Sequence, residues 1–202
     1  MQICEIFRSI QGEGKNQGRP CTFIRFAGCN LRCSWCDTPG SREGGIDCSL
    51  KEVLETVWRC KGSYACITGG EPLLQGDDVR NLGHALQETG YMIDIETNGT
   101  IDFRPFQHFA SICMDVKCPS SGERSDLSLL SHITGDDSVK FVVEDIPDCH
   151  YAANVIREHD ISGELFVSPV HGSPAREIAS FILEHDLPVR LQLQLHRILG
   201  VR

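Results

Sequence analysis

The sequence predicts an α/β fold: an incomplete α/β barrel around a mostly parallel sheet, built as a single domain over residues 1–202. Short runs rich in β-branched and aromatic residues alternate with amphipathic helical stretches along the chain. That pattern implies right-handed βαβ units around a parallel sheet. No internal period of about 20–50 residues recurs, and no Pro- or Ser-rich linker divides the chain. The polar tripeptides fall at the ends of the strand-like runs. Both an α/β barrel and the alternative topology, a doubly wound open sheet, hold their ligands there.

The first strand-like run covers residues 21–27, Cys-Thr-Phe-Ile-Arg-Phe-Ala, dense in residues that suit a pleated, buried surface. Residues 49–61 are predicted helical. Ser49 and Glu52 have capping-box spacing, Val53, Leu54, Val57 and Trp58 share one face, and Gly62 stops the helix. Residues 64–68 form a strand, and 77–87 a helix with Val79, Leu82 and Leu86 on its inner face. Residues 91–96 and 112–116 are successive strands. The alternation continues with a strand at 139–143, a helix at 148–159, a strand at 164–168, a helix at 173–185 and a closing strand at 189–195. These strands are too few for a closed barrel of about eight, hence the incomplete one.

Hydrophobic residues make up 41% and charged residues 23%, an ordinary globular balance. With 19 Lys and Arg against 28 Asp and Glu, the formal net charge is −9. An acidic chain without a Lys/Arg tract is poorly suited to gripping nucleic acid. No apolar run approaches the ~20 residues needed to span a bilayer. The start, Met1-Gln2-Ile3-Cys4-Glu5, lacks the basic-then-apolar profile of a signal peptide, so a reducing, cytoplasmic compartment is expected. In such a compartment 11 cysteines, an odd number, point to a metal, an iron–sulfur cluster or thiol chemistry rather than to a disulfide framework.

Three of the cysteines, Cys29, Cys33 and Cys36, stand in C-x3-C-x2-C spacing directly after the first strand. Iron–sulfur clusters normally take four cysteines, so three leave one iron open to a substrate or cofactor. A zinc site pairing Cys33 and Cys36 with Cys48 and Cys60 is an alternative, but it leaves Cys29 unused. A thioredoxin-like pair at Cys33 and Cys36 also leaves Cys29 over, and the pair opens no helix. The eight other cysteines read as small buried hydrophobes or bystanders. Further along, Thr68-Gly69-Gly70-Glu71-Pro72 ends a strand, where paired glycines admit a ligand close to the backbone. Glu96-Thr97-Asn98-Gly99 and Asp115-Val116-Lys117 end the next two. Gly12-Glu13-Gly14 is no dinucleotide fingerprint, because the next glycine, Gly18, comes too late and no helix follows.

The three-cysteine signature, with Trp35 just before the third cysteine and a GGEP segment after it, resembles the radical S-adenosylmethionine (SAM) superfamily. Within that superfamily the chain is similar to the 7-carboxy-7-deazaguanine synthase family. The residues that carry the likeness are Phe7 to Gly14, Phe26 to Thr38, Thr68 to Leu73, Glu96 to Gly99, Lys117 to Gly122 and Gln192 to Arg197. The resemblance implies conversion of 6-carboxy-5,6,7,8-tetrahydropterin to 7-carboxy-7-deazaguanine with loss of ammonia, on the route to deazapurine nucleosides such as queuosine and archaeosine. A reduced 4Fe-4S cluster would cleave SAM, and the 5′-deoxyadenosyl radical would abstract hydrogen from C6 of the pterin. SAM would be regenerated after ring contraction.

The resemblance also implies roles for individual residues. Cys29, Cys33 and Cys36 would hold the cluster, with Trp35 and Asp37 beside it, and Thr38 would be a ligand of Mg²⁺. Gly70, Glu71, Asp115 and Lys117 would contact SAM, Glu71 by accepting from its ammonium and Asp115 from its ribose hydroxyls. Ile10, Gln11, Gly12, Arg25, Thr68, Glu96, Gln194 and His196 would line the substrate site. There Arg25 offers a planar fork to the pterin carboxylate, and His196 sits on the terminal strand. A flavodoxin or ferredoxin reductant and a homodimer are implied as well. The competing functions are a glycyl-radical-enzyme activase, which shares the cysteine motif, and a non-catalytic iron–sulfur or zinc protein.

Overall fold

The computed structural model describes residues 1–201, and one nine-stranded sheet organises them. Its strands are β1 (Gln2–Ile10), β2 (Pro20–Phe26), β3 (Ile46–Asp47), β4 (Tyr64–Gly69), β5 (Met92–Thr97), β6 (Ser111–Lys117), β7 (Ser138–Val143), β8 (Glu164–Pro169) and β9 (Arg190–Leu191). They lie in the order β3-β1-β2-β4-β5-β6-β7-β8-β9. From β2 to β9 every neighbouring pair is parallel, while β1 runs antiparallel to β2 and β3. The two edge strands do not pair with each other, so the barrel stays open, as the sequence predicts.

Helices α1 (Leu50–Arg59), α2 (Gly76–Glu88), α3 (Ile146–Glu158) and α4 (Ala175–Glu184) follow strands in the expected alternation. The capping box at α1 is complete: Ser49 accepts from the Glu52 amide, and the Glu52 carboxylate accepts from the Ser49 amide. Val53, Val57, Val79, Leu82 and Leu86 are fully buried against Ile67, Ile95 and Phe103 in one apolar core. Helix α3 begins two residues before its predicted start, because Asp145 rather than a later residue caps it by accepting from the Asp148 amide. Among the described residues no helix is long and apolar enough to cross a membrane.

Four features depart from the sequence reading, the first being the two-residue strand β3, where no strand is predicted. Trp58 is 48% exposed: it lies about 100° around the helix from Val57, past the buried stripe. The strand β1 has no counterpart in the sequence reading. Only Ile3 in it is deeply buried, and Glu5 and Phe7 turn towards a cavity, so no apolar alternation marks it. The closing strand shrinks to Arg190–Leu191. Gln192 turns inward, where its amide donates to the Gly14 carbonyl (3.0 Å) and its carbonyl accepts from the Gly14 N–H (2.7 Å). The chain then leaves the sheet as a short helix, α5 (Leu195–Leu199), which places His196 on a helix rather than a strand.

The fit of α2 on the residues before β6 makes a specific demand. A Cβ on buried Gly83 would come within 2.1 Å of the Phe109 ring. Ala at an unconstrained helix position gains about 1 kcal/mol over Gly, yet here overpacking costs about 1–3 kcal/mol. Gly83→Ala is therefore expected to lower the urea midpoint at unchanged slope; a higher midpoint would show that Phe109 yields freely.

Candidate active site

The cysteine loop leaves β2 through Gly28, whose φ of +96° a side chain would disfavour. It is tied down from two directions. On one side the Gly28 amide donates to the Ser41 carbonyl at 2.8 Å, and the Gly28 carbonyl accepts from the Glu71 amide at 2.8 Å. On the other, the Ser34 amide donates to the Ser121 carbonyl (2.9 Å) and the Trp35 indole to the Ser120 hydroxyl (2.9 Å). Ser120 is itself held by Asp148 at the start of α3. The Arg42 guanidinium donates to the Cys33 carbonyl at 2.8 Å.

All eleven cysteines are free thiols, and Cys29, Cys33 and Cys36 are partly exposed. Burial pushes the Cys33 thiol up, against the pull of the Lys117 ammonium. Among the described residues no three His, Cys, Asp or Glu side chains converge on a single ion. The Cys48 amide donates to the Met1 carbonyl and Cys60 caps the C-terminus of α1, and among the described residues neither joins Cys33 and Cys36 in a group that could hold an ion. Three accessible thiols on one braced loop fit a multi-iron cluster, which takes each thiolate on a separate iron.

The glycine pair after β4 lies against this loop. A Cβ at Gly69 would come within 2.3 Å of the Phe26 carbonyl oxygen, and one at Gly70 within 2.3 Å of the Gly28 carbonyl oxygen and 2.7 Å of the Cys29 Cβ. Glu71 turns inward and is fully buried. Its carboxylate accepts from the Leu73 amide (3.0 Å), the Thr97 hydroxyl (3.0 Å) and the Asn98 amide (2.6 Å), which ties the end of β4 to the end of β5. Burial outweighs these donors and lifts its pKa to about 7.

A cavity of about 760 Å³ opens between the cysteine loop, the strand ends and α5. Cys33, Trp35, Cys36, Asp37 and Thr38 border it on the loop side, and Ile10, Gln11, Gly12, Arg25, Thr68, Glu96, Lys117, Gln194 and His196 elsewhere. Of the residues expected at the site, Cys29, Gly70, Glu71 and Asp115 lie outside this lining. Arg25 donates from Nε to Glu5 Oε1 at 2.9 Å. Glu96 accepts from the Thr68 hydroxyl (3.0 Å) and the Gln11 amide (3.3 Å), and burial raises its pKa. No hydrogen bond from the Thr38 hydroxyl occurs among the described residues, although its carbonyl accepts from the Ser41 amide. His196 presses so close to Gly12 that a Cβ there would meet its Nδ1 at 2.2 Å. Burial lowers the His196 pKa, against Asp37 3.9 Å away.

Asp115 and Lys117 belong to a charged row under this cavity whose other two members, Glu13 and Lys140, the sequence reading missed. Glu13 Oε2 lies 2.7 Å from Lys140 Nζ, which lies 3.1 Å from Asp115 Oδ1; Asp115 Oδ2 lies 2.8 Å from Lys117 Nζ. Burial works against every charge in this row, yet the opposite neighbours prevail: Glu13 and Asp115 are held below the usual carboxylate range and both lysines above theirs. Glu5, Phe7, Phe23, His171 and Arg197 also border the cavity without having been anticipated, with Phe7 and Phe23 stacked at 5.1 Å. One signal was available. Lys140 is the lone charge in the apolar run Ser-Val-Lys-Phe-Val-Val, and a buried cation requires a buried partner.

Comparison with known proteins places the chain among relatives. Residues 23–114 match the Radical SAM superfamily. A 7-carboxy-7-deazaguanine synthase of Methanospirillum hungatei is 53% identical over 201 residues, covering 100% of this chain and 86% of the relative. Those of Koribacter versatilis and Thermoplasma acidophilum are each 37% identical, covering 98% of this chain and 96% and 97% of theirs. Among solved structures, QueE from Escherichia coli superposes with a TM-score of 0.79 at 24% identity, over 96% of this chain and 94% of its own. SuiB from Streptococcus suis, solved with its precursor peptide SuiA, gives 0.62 at 15%, over 85% and 47%. The open parallel sheet is thus a radical SAM partial barrel, and with full-length relatives of this identity the chain belongs to the 7-carboxy-7-deazaguanine synthase family.

Proposed function

We propose that this chain converts 6-carboxy-5,6,7,8-tetrahydropterin to 7-carboxy-7-deazaguanine with release of ammonia, as a radical SAM carbon–nitrogen lyase of deazapurine biosynthesis. One observation carries the reading: the Arg25 guanidinium, the hydrogen-bonded polar edge of Gln11, Thr68 and Glu96, and the cysteine loop share a single cavity. Its volume, about 760 Å³, suits two metabolite-sized ligands side by side. The 4Fe-4S cluster with bound SAM supplies the hydrogen-abstracting radical, and the rest of the work falls to the protein.

Cys29, Cys33 and Cys36 hold the cluster, and the braced loop fixes their approach. Arg25, oriented through Nε by Glu5, presents its terminal nitrogens to the substrate carboxylate. Gln11, Thr68 and Glu96 form a hydrogen-bonded row against the amino-pyrimidine edge of the pterin, completed by Ile10, Gly12, Gln194 and His196. Thr38, whose hydroxyl is uncommitted, is the Mg²⁺ ligand, a hard oxygen donor suited to that ion. Lys117 serves SAM directly, with Asp115 behind it as its partner, Trp35 and Asp37 beside the cluster, and Gly70 packed against the cysteine loop behind the lining. Glu71 serves the same pocket by holding its wall, since its carboxylate is spent on internal donors. A flavodoxin or ferredoxin delivers the electron, and the active unit is a homodimer in the cytoplasm. A glycyl-radical activase has no use for the Arg25 fork or the pterin edge.

The decisive assay is anaerobic turnover: reduced protein with SAM, Mg²⁺ and carboxytetrahydropterin is expected to yield the deazaguanine with little net loss of SAM. Stoichiometric SAM cleavage without product would favour the activase. Arg25→Lys, which keeps the charge but loses the planar fork, is expected to raise the KM for the pterin by about tenfold or more with a smaller effect on kcat; an unchanged KM removes Arg25 from the site. Thr38→Ala should retain about four irons per chain while the Mg²⁺ dependence of kcat/KM changes. A Mg²⁺ titration superimposable on the wild type assigns the ion elsewhere.

A further inference from the structure

The charged row beneath the cavity has two ends that border it and two members that do not. Glu13 and Lys117 line the cavity; Lys140 and Asp115 stand outside the lining. Lys140 is the link between the ends. It projects from the middle of β7, is 3% exposed, and reaches both Glu13 Oε2 (2.7 Å) and Asp115 Oδ1 (3.1 Å). On the far side Asp115 carries Lys117, whose ammonium lies 5.4 Å from the centre of the Trp35 ring, next to Cys36. On the near side Glu13 is fixed by two further donors, the Ser168 hydroxyl at 3.3 Å and the Gln194 amide at 3.2 Å. Glu13 thus collects groups from β7, β8 and the segment before α5, at the edge where Gln11 and Gly12 also face the cavity.

We propose that Lys140 is a positioning residue that couples the two halves of the cavity, orienting Glu13 toward the pterin and the Asp115–Lys117 pair toward SAM through one shared ammonium. This rests on the reading that pterin and SAM occupy this cavity together. Glu13 thereby becomes a substrate-contacting residue, an ionised acceptor for N–H groups of the amino-pyrimidine ring. The physical requirement is strict. A lysine offers three donors from one point, so displacement of either carboxylate shifts the ammonium held by the other. A single cation on two carboxylates ties their positions without either ligand touching it.

Removing Lys140 alone leaves one buried carboxylate unbalanced, which can cost the fold. Glu13→Gln/Lys140→Met removes one charge of each sign and leaves Asp115–Lys117 intact. The test measures equilibrium binding of 6-carboxypterin, an oxidised substrate analogue, and of SAM to anaerobically reconstituted protein, with iron content and circular dichroism as controls. Glu13→Gln is expected to weaken 6-carboxypterin by about tenfold and to leave SAM affinity within about twofold. The double variant should weaken SAM by about a further tenfold relative to Glu13→Gln, because Asp115 has lost its second anchor. Lys140→Arg, which keeps the charge and moves the donors, should weaken both ligands by about fivefold. Coupling is refuted if the double variant, folded and loaded with iron, binds SAM as Glu13→Gln does, or if Lys140→Arg leaves both affinities at wild type. Should wild-type protein bind SAM and no 6-carboxypterin, the substrate reading fails, and the SAM comparison still decides the role of Lys140.

Discussion

The cavity depends on a contact between backbones. Where β2 and β4 end, Gly70 donates to the Phe26 carbonyl at 3.2 Å and Glu71 to the Gly28 carbonyl at 2.8 Å, with no room for a side chain at Gly69 or Gly70. The cysteine loop starts within this contact, so its first residues inherit the position of the sheet. The Glu71 carboxylate then extends the tie sideways to Thr97 and Asn98. Burying a carboxyl group without a cation is costly, and the amides and hydroxyl around it supply the compensation that water would otherwise give. A motif that reads as a ligand contact is, in this protein, first of all a joint between three strand ends.

A second constraint is electrostatic. Four charges in alternating order lie under the cavity, each with an opposite neighbour within 3.1 Å. Such rows rarely add stability, since apolar residues of like volume often do as well or better. What they fix is geometry. Each carboxylate has few orientations open to it, so the polar groups of the floor are set before any ligand arrives, the condition under which polar contacts cost least to reorganise. The requirement explains why β7, otherwise a buried apolar strand, carries a lysine at its centre.

Much of the fold was legible because its cues are local. The capping box at Ser49, the helical stripe of Val79, Leu82 and Leu86, and the run of parallel strands each announce themselves within about ten residues. The cysteine spacing and the GGEP segment were legible for the same reason. The remainder depends on contacts between distant residues. β1 is obscured because its cavity-facing side is polar and aromatic for the sake of the site. The turn at Gln192 follows from a pairing with Gly14, 178 residues away. Trp58 was misassigned because a helical stripe read from sequence has a soft edge, and the packing of α1 against its neighbours decides where that edge falls. Glu71 shows the same limit: the motif that carries it is local, but the direction of its carboxylate is set by Thr97 and Asn98.

The loop between β1 and β2 gives the open barrel its completeness. Glu13 reaches Lys140 on β7 and Ser168 on β8, Lys15 the Gly135 carbonyl before β7, and Asn16 Asp94 on β5. Gly14 meets Gln192 beyond β9, and Gln17 the Leu193 carbonyl. A hairpin at one end of the sheet therefore spans its interior to the other end. It does so through side chains and single amides rather than through a strand ladder. Further strands would pair the edges and fill the same space; here the edges are two-residue strands with little unpaired backbone to protect. The same loop presents Gln11, Gly12 and Glu13 to the cavity. The segment that substitutes for the missing barrel wall is thus also one that lines the cavity, and in so short a chain the requirements of closure and of shaping the cavity fall on the same residues.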